Sequence, residues 1–503
     1  MKPLNYMKSK PIDELKKRLL EISDLSSALG LLNWDRDVYM PVQGENRRAA
    51  SIAQLSSIIH NKFISIDSDH LLTNLKKQLD TKKLKGDDIV IVAETWRIFD
   101  RERKLTEQFV SELALTTSKA QGIWVEARKK NDFKLFLPWL TKIINLKRQE
   151  AEYVGYAKSP YDALIDTYEP GMTAEKASQI LKDLKDFLIP FLKEIKSSKI
   201  KINSKIIEGD FPLDKQIEFN EMIVKAMGFD LTAGRIDTTT HPFAMGLHPQ
   251  DVRITTRYLQ SDLLYSLGSI IHEAGHGLYE QGLPSEHFGT PLAETVSLGI
   301  HESQSRMWEN LIGKSRPFWK YFYPILQRKF PIPFEKVSFD KFYAILNLVQ
   351  PSPIRTEADE VTYNLHVILR FEIEKEMIEG SIDLKQLPKI WRAKMKEYFG
   401  INVPTDAPGV LQDVHWSAGL IGYFPTYSFG NLYSAQFFTA MRKDIPDIDE
   451  KMSRGEFKEI RNWLKKHIHA HGKTYTADRL VEKVTGEPLQ SKYFIDYLRS
   501  KFL

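Results

Sequence analysis

Ser269-Ile270-Ile271-His272-Glu273-Ala274-Gly275-His276-Gly277-Leu278 carries two histidines four residues apart. On a helix that spacing puts both imidazoles on one face, one turn apart, where they can share a metal ion. Glu273 sits beside the first of them. A carboxylate there can take a proton from a metal-bound water, whose pKa the cation lowers towards about 7, and pass it to a leaving amine. The plain alternative for any H-E-x-x-H string is a surface helix with two polar histidines. The flanks argue against it: Leu263, Leu264, Leu267, Ile270 and Ile271, with Tyr265 and Ser266 among them, make an apolar approach. Such a helix heads into the interior, where unpaired His and Glu are costly to bury. Gly275 and Gly277 lower helix propensity and make sense where another group must approach the backbone closely.

A hydrolytic site of this type needs a third protein ligand and one open position. The extended form H-E-x-x-H-x-x-G-x-x-H would require Gly at 279 and His at 282. The chain has Tyr279 and Gly282, which excludes it. A glutamate on a following helix is the alternative. Leu292 to Gln304 reads as one helical run holding both Glu294 and Glu302, and spacing does not choose between them.

Composition narrows the field around this motif. At about 150 residues per domain, the 503 residues suggest three domains as a soft prior. Hydrophobic and charged contents of 42% and 27% are those of an ordinary globular protein. A net charge of +5 gives no case for nucleic acid as a partner. With no cysteine, disulfides and thiolate metal sites are excluded, so any metal must sit on His and carboxylate. No apolar stretch reaches the roughly 18–20 residues that span a bilayer. Met1-Lys2-Pro3-Leu4-Asn5-Tyr6 lacks the apolar segment of a signal peptide. The expectation is a cytoplasmic protein with no membrane partner.

Outward from the motif, helices dominate. Pro11 to Asn33 repeats Leu15, Leu19, Ile22, Leu25 and Leu29 at helical spacing, and Asn33-Trp34-Asp35-Arg36-Asp37 reads as its break. Further helices are expected from Arg47 to Phe63, from Asp87 to Lys130 with a break or hairpin inside, from Phe136, from Thr173 as a cap, and from Asp214 to Gly228. Ile200 to Phe211 reads as short and β-prone. Ile236 to Tyr258, with Thr238-Thr239-Thr240 and Val252-Arg253-Ile254-Thr255-Thr256, predicts a small antiparallel sheet leading into the metal helix. Ser352-Pro353-Ile354-Arg355 reads as the start of a long helix, and Tyr433 to Phe502 as helical with a loop at Gly472.

Among the cations that could bind a substrate carboxylate, Arg is suited by its planar fork. Arg253, before the metal helix, and Arg355 are candidates; at a helix start, free N–H groups would help Arg355. Their plain alternative is pairing with a neighbour, Glu357 or Asp359 for Arg355. Arg306, one turn beyond Glu302, is either a groove cation favouring acidic C-termini or an ion pair with the carboxylates beside it, Glu309 among them.

Six segments in order carry a family resemblance: His241-Pro242-Phe243, Asp251-Val252-Arg253-Ile254-Thr255, the H-E-x-x-H at His272, His301-Glu302-Ser303-Gln304, Ile354-Arg355-Thr356-Glu357-Ala358-Asp359, and Gly409-Val410-Leu411-Gln412-Asp413-Val414-His415-Trp416. Over nearly its full length the chain resembles the carboxypeptidase Taq family of metallocarboxypeptidases. The resemblance implies a mainly α fold, two helical lobes around a deep central groove like the neurolysin and angiotensin-converting peptidases, and a homodimer. Residues 1–503 would be one catalytic unit: 1–160 a helical wall, 230–430 the metal and substrate site, 431–503 the C-terminal helices. It makes Glu302 the third ligand beside His272 and His276, and leaves Glu294 and Asp251 as supports for the ligands. One divalent metal per chain is implied, zinc first, with cobalt or manganese able to serve. Glu273 would be the general base, His415 and Tyr423 would stabilise the oxyanion, and Arg355, aided by Arg253 and His241, would bind the carboxylate of peptide substrates. The alternatives are an oligoendopeptidase cutting short peptides internally and a non-enzymatic helical metal-binding protein.

Overall fold

The computed structural model describes residues 10–197 and 202–503. Met1–Tyr6 and the first two residues of the β-prone segment, 200 and 201, lie outside the described residues. The rest of that segment forms a short 3-10 turn, Ser204–Ile207, and no strand.

The first helix, Pro11–Val38, starts at a proline with Asp13 and Glu14 in its first turn, both favourable there. The break expected at Asn33–Asp37 is absent. Trp34 is buried, and Arg48 pairs with Asp35 at 2.6 Å and donates to the Leu32 carbonyl at 3.0 Å. Those contacts stabilise a helical turn that local propensity leaves weak. The long run after Asp87 is two helices, Asp87–Glu102 and Glu107–Lys130. Thr106 caps the second by accepting from the Phe109 N–H at 3.2 Å. The N-terminal helices share a small apolar cluster of their own, with Leu15, Leu72, Leu75, Val92 and Phe99 at its centre. A much larger core holds everything around the metal motif.

In that core runs the helix Leu263–Gly282, capped by Asp262, whose carboxylate accepts from the Tyr265 N–H at 3.1 Å. It buries Leu263, Leu267, Ile270, Ile271, Ala274 and Leu278; each of the larger side chains contributes about 1.5–3 kcal/mol of burial. The sheet beside it has three strands: β1 (Gly234–Thr238), β2 (Ala244–His248) and β3 (Asp251–Thr256), in the order β1-β3-β2. It is mixed, not antiparallel as expected. β2 and β3 form an antiparallel hairpin, while β1 runs parallel to β3, with Ile236 opposite Ile254. The connection 239–243 carries the chain past the end of β3 to its far side, so β3 returns between the two strands already laid down.

The two glycines of the motif sit where other elements press in. A Cβ at Gly275 would lie 2.7 Å from the Ser305 Cα, and one at Gly277 would lie 2.6 Å from the Phe229 ring. Ser352–Arg355 does not open a long helix. Arg355–Glu357 is one 3-10 turn, and the helix begins only at Tyr363. Asp359 holds this bend by accepting from the N–H groups of Gln350, Val361 and Thr362 at 2.9–3.0 Å. No helix among the described residues is long and apolar enough to cross a membrane.

Candidate active site

His272 and His276 project from the same face of their helix, ring centroids 4.9 Å apart. Glu302 comes from a second helix, Leu298–Arg306, which Ser297 caps by accepting from the Ile300 N–H at 3.0 Å. Leu292–Gln304 is therefore not one run. A 3-10 turn at Pro291–Ala293 ends before Glu294, and the helix starts afresh after Ser297. The helix Pro425–Asp444 crosses directly over Glu302, because Gly430 has no side chain: a Cβ there would lie 2.5 Å from the Glu302 Cγ.

Glu302 Oε2 is 3.4 Å from His276 Nε2 and 3.7 Å from His272 Nε2. One donor atom from each residue falls within 4.8 Å of the other two. Metal–ligand bonds of about 2.0–2.2 Å fit inside such a triangle, and two imidazoles with one carboxylate suit a divalent cation. Burial disfavours charge on both imidazoles. At His272 the carboxylates of Glu302 and Glu309 outweigh it and raise the pKa to about 9. His276, buried beside His301, falls to about 3. Burial, with Glu302 adding to it, lifts the Glu273 carboxyl to about 7.

The groups that aim the ligands are not those expected. His272 donates its Nδ1–H to Glu309 at 2.8 Å. Arg306 donates to Glu302 Oε1 at 2.6 Å and to Glu309 at 3.2 Å. That occupies one oxygen of Glu302 and leaves Oε2 towards the histidines. Arg306 is thus an ion pair, although it also borders the cavity. Glu294 does not orient a ligand histidine: it is exposed and pairs with Lys473. Asp251 does not either; it pairs with Arg253 at 2.9 Å, and that guanidinium lies over the Trp34 ring at 4.4 Å. The spacing of 302, 306 and 309 points to Glu309, although it stands on a π-helical turn, Met307–Ile312, after the α-helix has ended at Arg306.

His272, Glu273, Glu302, Arg306, Arg355, Tyr363 and Tyr427 line one cavity of about 540 Å³, with Leu264, Ile271, Trp319 and Leu346 as apolar wall. Arg253 and His241 are not among its lining residues, although Pro242 is. His415 is buried, with Nε2 3.2 Å from the Tyr427 hydroxyl. Burial, followed by the charge of Arg355, lowers its pKa to about 3, so the ring is neutral. Tyr423 packs on His415 and Tyr427 with centroids at 5.5 and 5.3 Å. Three phenols reach the cavity, Tyr265, Tyr363 and Tyr427, and sequence reasoning missed the last two.

Arg355 is buried and pairs with neither Glu357 nor Asp359. Its Nε and Nη2 meet Asp413 Oδ1 at 2.9 Å each, and Nη1 donates to the Tyr363 hydroxyl at 3.1 Å. Its backbone N–H is not free for an anion, since it donates to Gln412 Oε1 at 2.9 Å. The motif around Gln412 and Asp413 thus fixes Arg355 from both ends.

The family model described as carboxypeptidase Taq (M32) metallopeptidase matches residues 14–502. Carboxypeptidase 1 of Bacillus subtilis (strain 168) is 40% identical over 484 residues, 96% of each chain. Thermostable carboxypeptidase 1 of Thermus thermophilus is 39% identical over 492 residues, again 96% of each. Among solved structures, the M32 carboxypeptidase from Deinococcus radiodurans R1 superposes with a TM-score of 0.93 at 35% identity, covering 98% of this chain and 99% of that one.

Proposed function

We propose, for a chain that belongs to the carboxypeptidase Taq (M32) metallopeptidase family and is a metal-dependent carboxypeptidase acting on peptides, a division of labour among the residues of the cavity. His272, His276 and Glu302 hold one divalent cation per chain, zinc first, with cobalt or manganese able to replace it. When bound, that cation supplies Lewis acidity for water and for the scissile carbonyl. Glu273 accepts the water proton and returns it to the leaving amine, a task matched by a carboxyl near neutrality. His415, Tyr423 and the cavity-facing Tyr427 offer donors for the charge that develops on the carbonyl oxygen. Arg355 holds the C-terminal carboxylate of the substrate.

The observation that carries this reading is that Arg355 and Glu273 open onto the same cavity. A fixed cation and a proton shuttle in one chamber suit removal of a terminal residue. Two helical lobes around a central groove, with a helical wall over 1–160, are part of the reading; the separate apolar cluster supports it for residues 12–99. Residues 230–430 then carry the metal and substrate site and 431–503 brace it. Assembly is read as a homodimer, and the cysteine-free composition fits a reducing cytoplasm. The test is Arg355→Ala, assayed on one peptide with a free and with an amidated C-terminus. Losing a charge-assisted pair in a partly desolvated pocket costs about 2–5 kcal/mol. Cleavage of the free peptide should fall tens- to thousands-fold, with the slow cleavage of the amide hardly changed. An equal fall in both would make Arg355 structural and move the search to Arg253.

A further inference from the structure

Asp413 is shared by two guanidiniums. Its Oδ1 takes Arg355 as described; its Oδ2 takes Nε and Nη2 of Arg370 at 2.7 and 2.5 Å. Arg370 has no exposed surface. It lies over the Trp391 ring at 4.7 Å and donates Nη1 to the His366 carbonyl at 2.8 Å. Two imidazoles border the cluster, His366 and His415. Burial and the arginines hold both well below the usual histidine range, so neither adds charge. Glu374, one turn beyond Arg370, gives its oxygens to the Trp416 indole, the Tyr161 hydroxyl and the Gly422 N–H, and pairs with neither arginine. Two guanidiniums therefore pair directly with one carboxylate beside the cavity.

We propose that Arg370, which no substrate can touch, sets the charge with which Arg355 meets a C-terminal carboxylate. Asp413 orients Arg355 by occupying its Nε–Nη2 edge, while Nη1 meets the hydroxyl of the cavity-lining Tyr363. Alone, that pairing would leave a neutral couple with little attraction for an anion. Arg370 offsets the charge of Asp413 from behind, so Arg355 is held in place without being neutralised. An uncompensated buried charge is costly, and an incoming carboxylate completes the cluster. The inference rests on the reading of Arg355 as the carboxylate anchor, and Arg370 acts through that residue as a positioning group.

The experiment compares wild type, Arg355→Lys, Arg370→Gln and the double variant Arg370→Gln/Asp413→Asn. Each is assayed for kcat and KM on one peptide, free and amidated, and for metal content. Inhibition by 3-phenylpropionate is compared with inhibition by its amide. Arg370→Gln should lower the free-to-amide ratio of kcat/KM about ten-fold or more and weaken 3-phenylpropionate alike, with metal retained. The double variant again has one net positive charge, at Arg355, and should recover the ratio to within about three-fold of wild type. A merely structural role would not be rescued by a second lesion. An unchanged ratio in Arg370→Gln, or a double variant as poor as the single, overturns the proposal. If Arg370→Gln does not fold, the double variant decides, and a ratio depressed about ten-fold there overturns it as well. Should Arg355→Lys leave the ratio unchanged, the anchor itself is wrong and the proposal falls with it.

Discussion

A histidine pair at four-residue spacing is readable because a helix turns spacing directly into geometry, and His272 and His276 do share a face. Glu302 is harder. Its run reads as continuous helix, but Ser297 is an N-cap in the middle of it, so Glu294 falls on a different element and finds Lys473. The residue that orients His272 is Glu309, on the π-helical turn Met307–Ile312 that follows Arg306. Orienting carboxylates of this kind are worth about 10–100-fold in metal affinity. Glu309→Gln should therefore weaken metal binding by that much in competition with a chelator, while helical content stays unchanged. Wild-type affinity in the variant would mean that His272 is aimed by something other than Glu309.

At the scale of elements, the helices around the site follow from apolar periodicity, while the sheet does not follow from β-branched composition alone. Strand propensity at Thr238 and Val252–Thr256 is visible; the direction of β1 depends on where the connection 239–243 crosses, which no local residue encodes. The bend before Tyr363 has a local cause instead, a single side chain, Asp359, collecting three N–H groups. The segment that carries His415 is held by Glu374, which accepts from Trp416 and Gly422. Burial raises that carboxyl from 4.5 to about 7. A carboxyl raised on folding contributes stability that is fully present below its unfolded pKa and lost as pH rises through the folded one. Relative to Glu374→Gln, wild type should lose up to about 3 kcal/mol of unfolding free energy between roughly pH 4.5 and 7. Denaturant titrations across that range check it; a pH-independent difference would contradict it.

The whole molecule gathers one cavity from residues scattered between Pro242 and Tyr427. Trp319, Leu346, Tyr363 and Tyr427 bear no motif of chemistry and look like core aromatics and aliphatics in the chain, so their place on the wall appears only when the helices pack. Arg370 is hidden for the same reason: its partner lies 43 positions away. The ordering of charge in depth, from the His272, His276 and Glu302 cluster to Arg355 and behind it Arg370, is a property of the assembled core. A chamber anchored by Arg355 should act only at a free C-terminus. The most direct measurement is a mass-spectrometric time course of one peptide and its C-terminal amide, with and without chelator. The digest should show a ladder of products shortened one residue at a time from the free C-terminus, an amide left almost intact, and loss of activity in chelator. Internal fragments, or equal digestion of the amide, would contradict this reading.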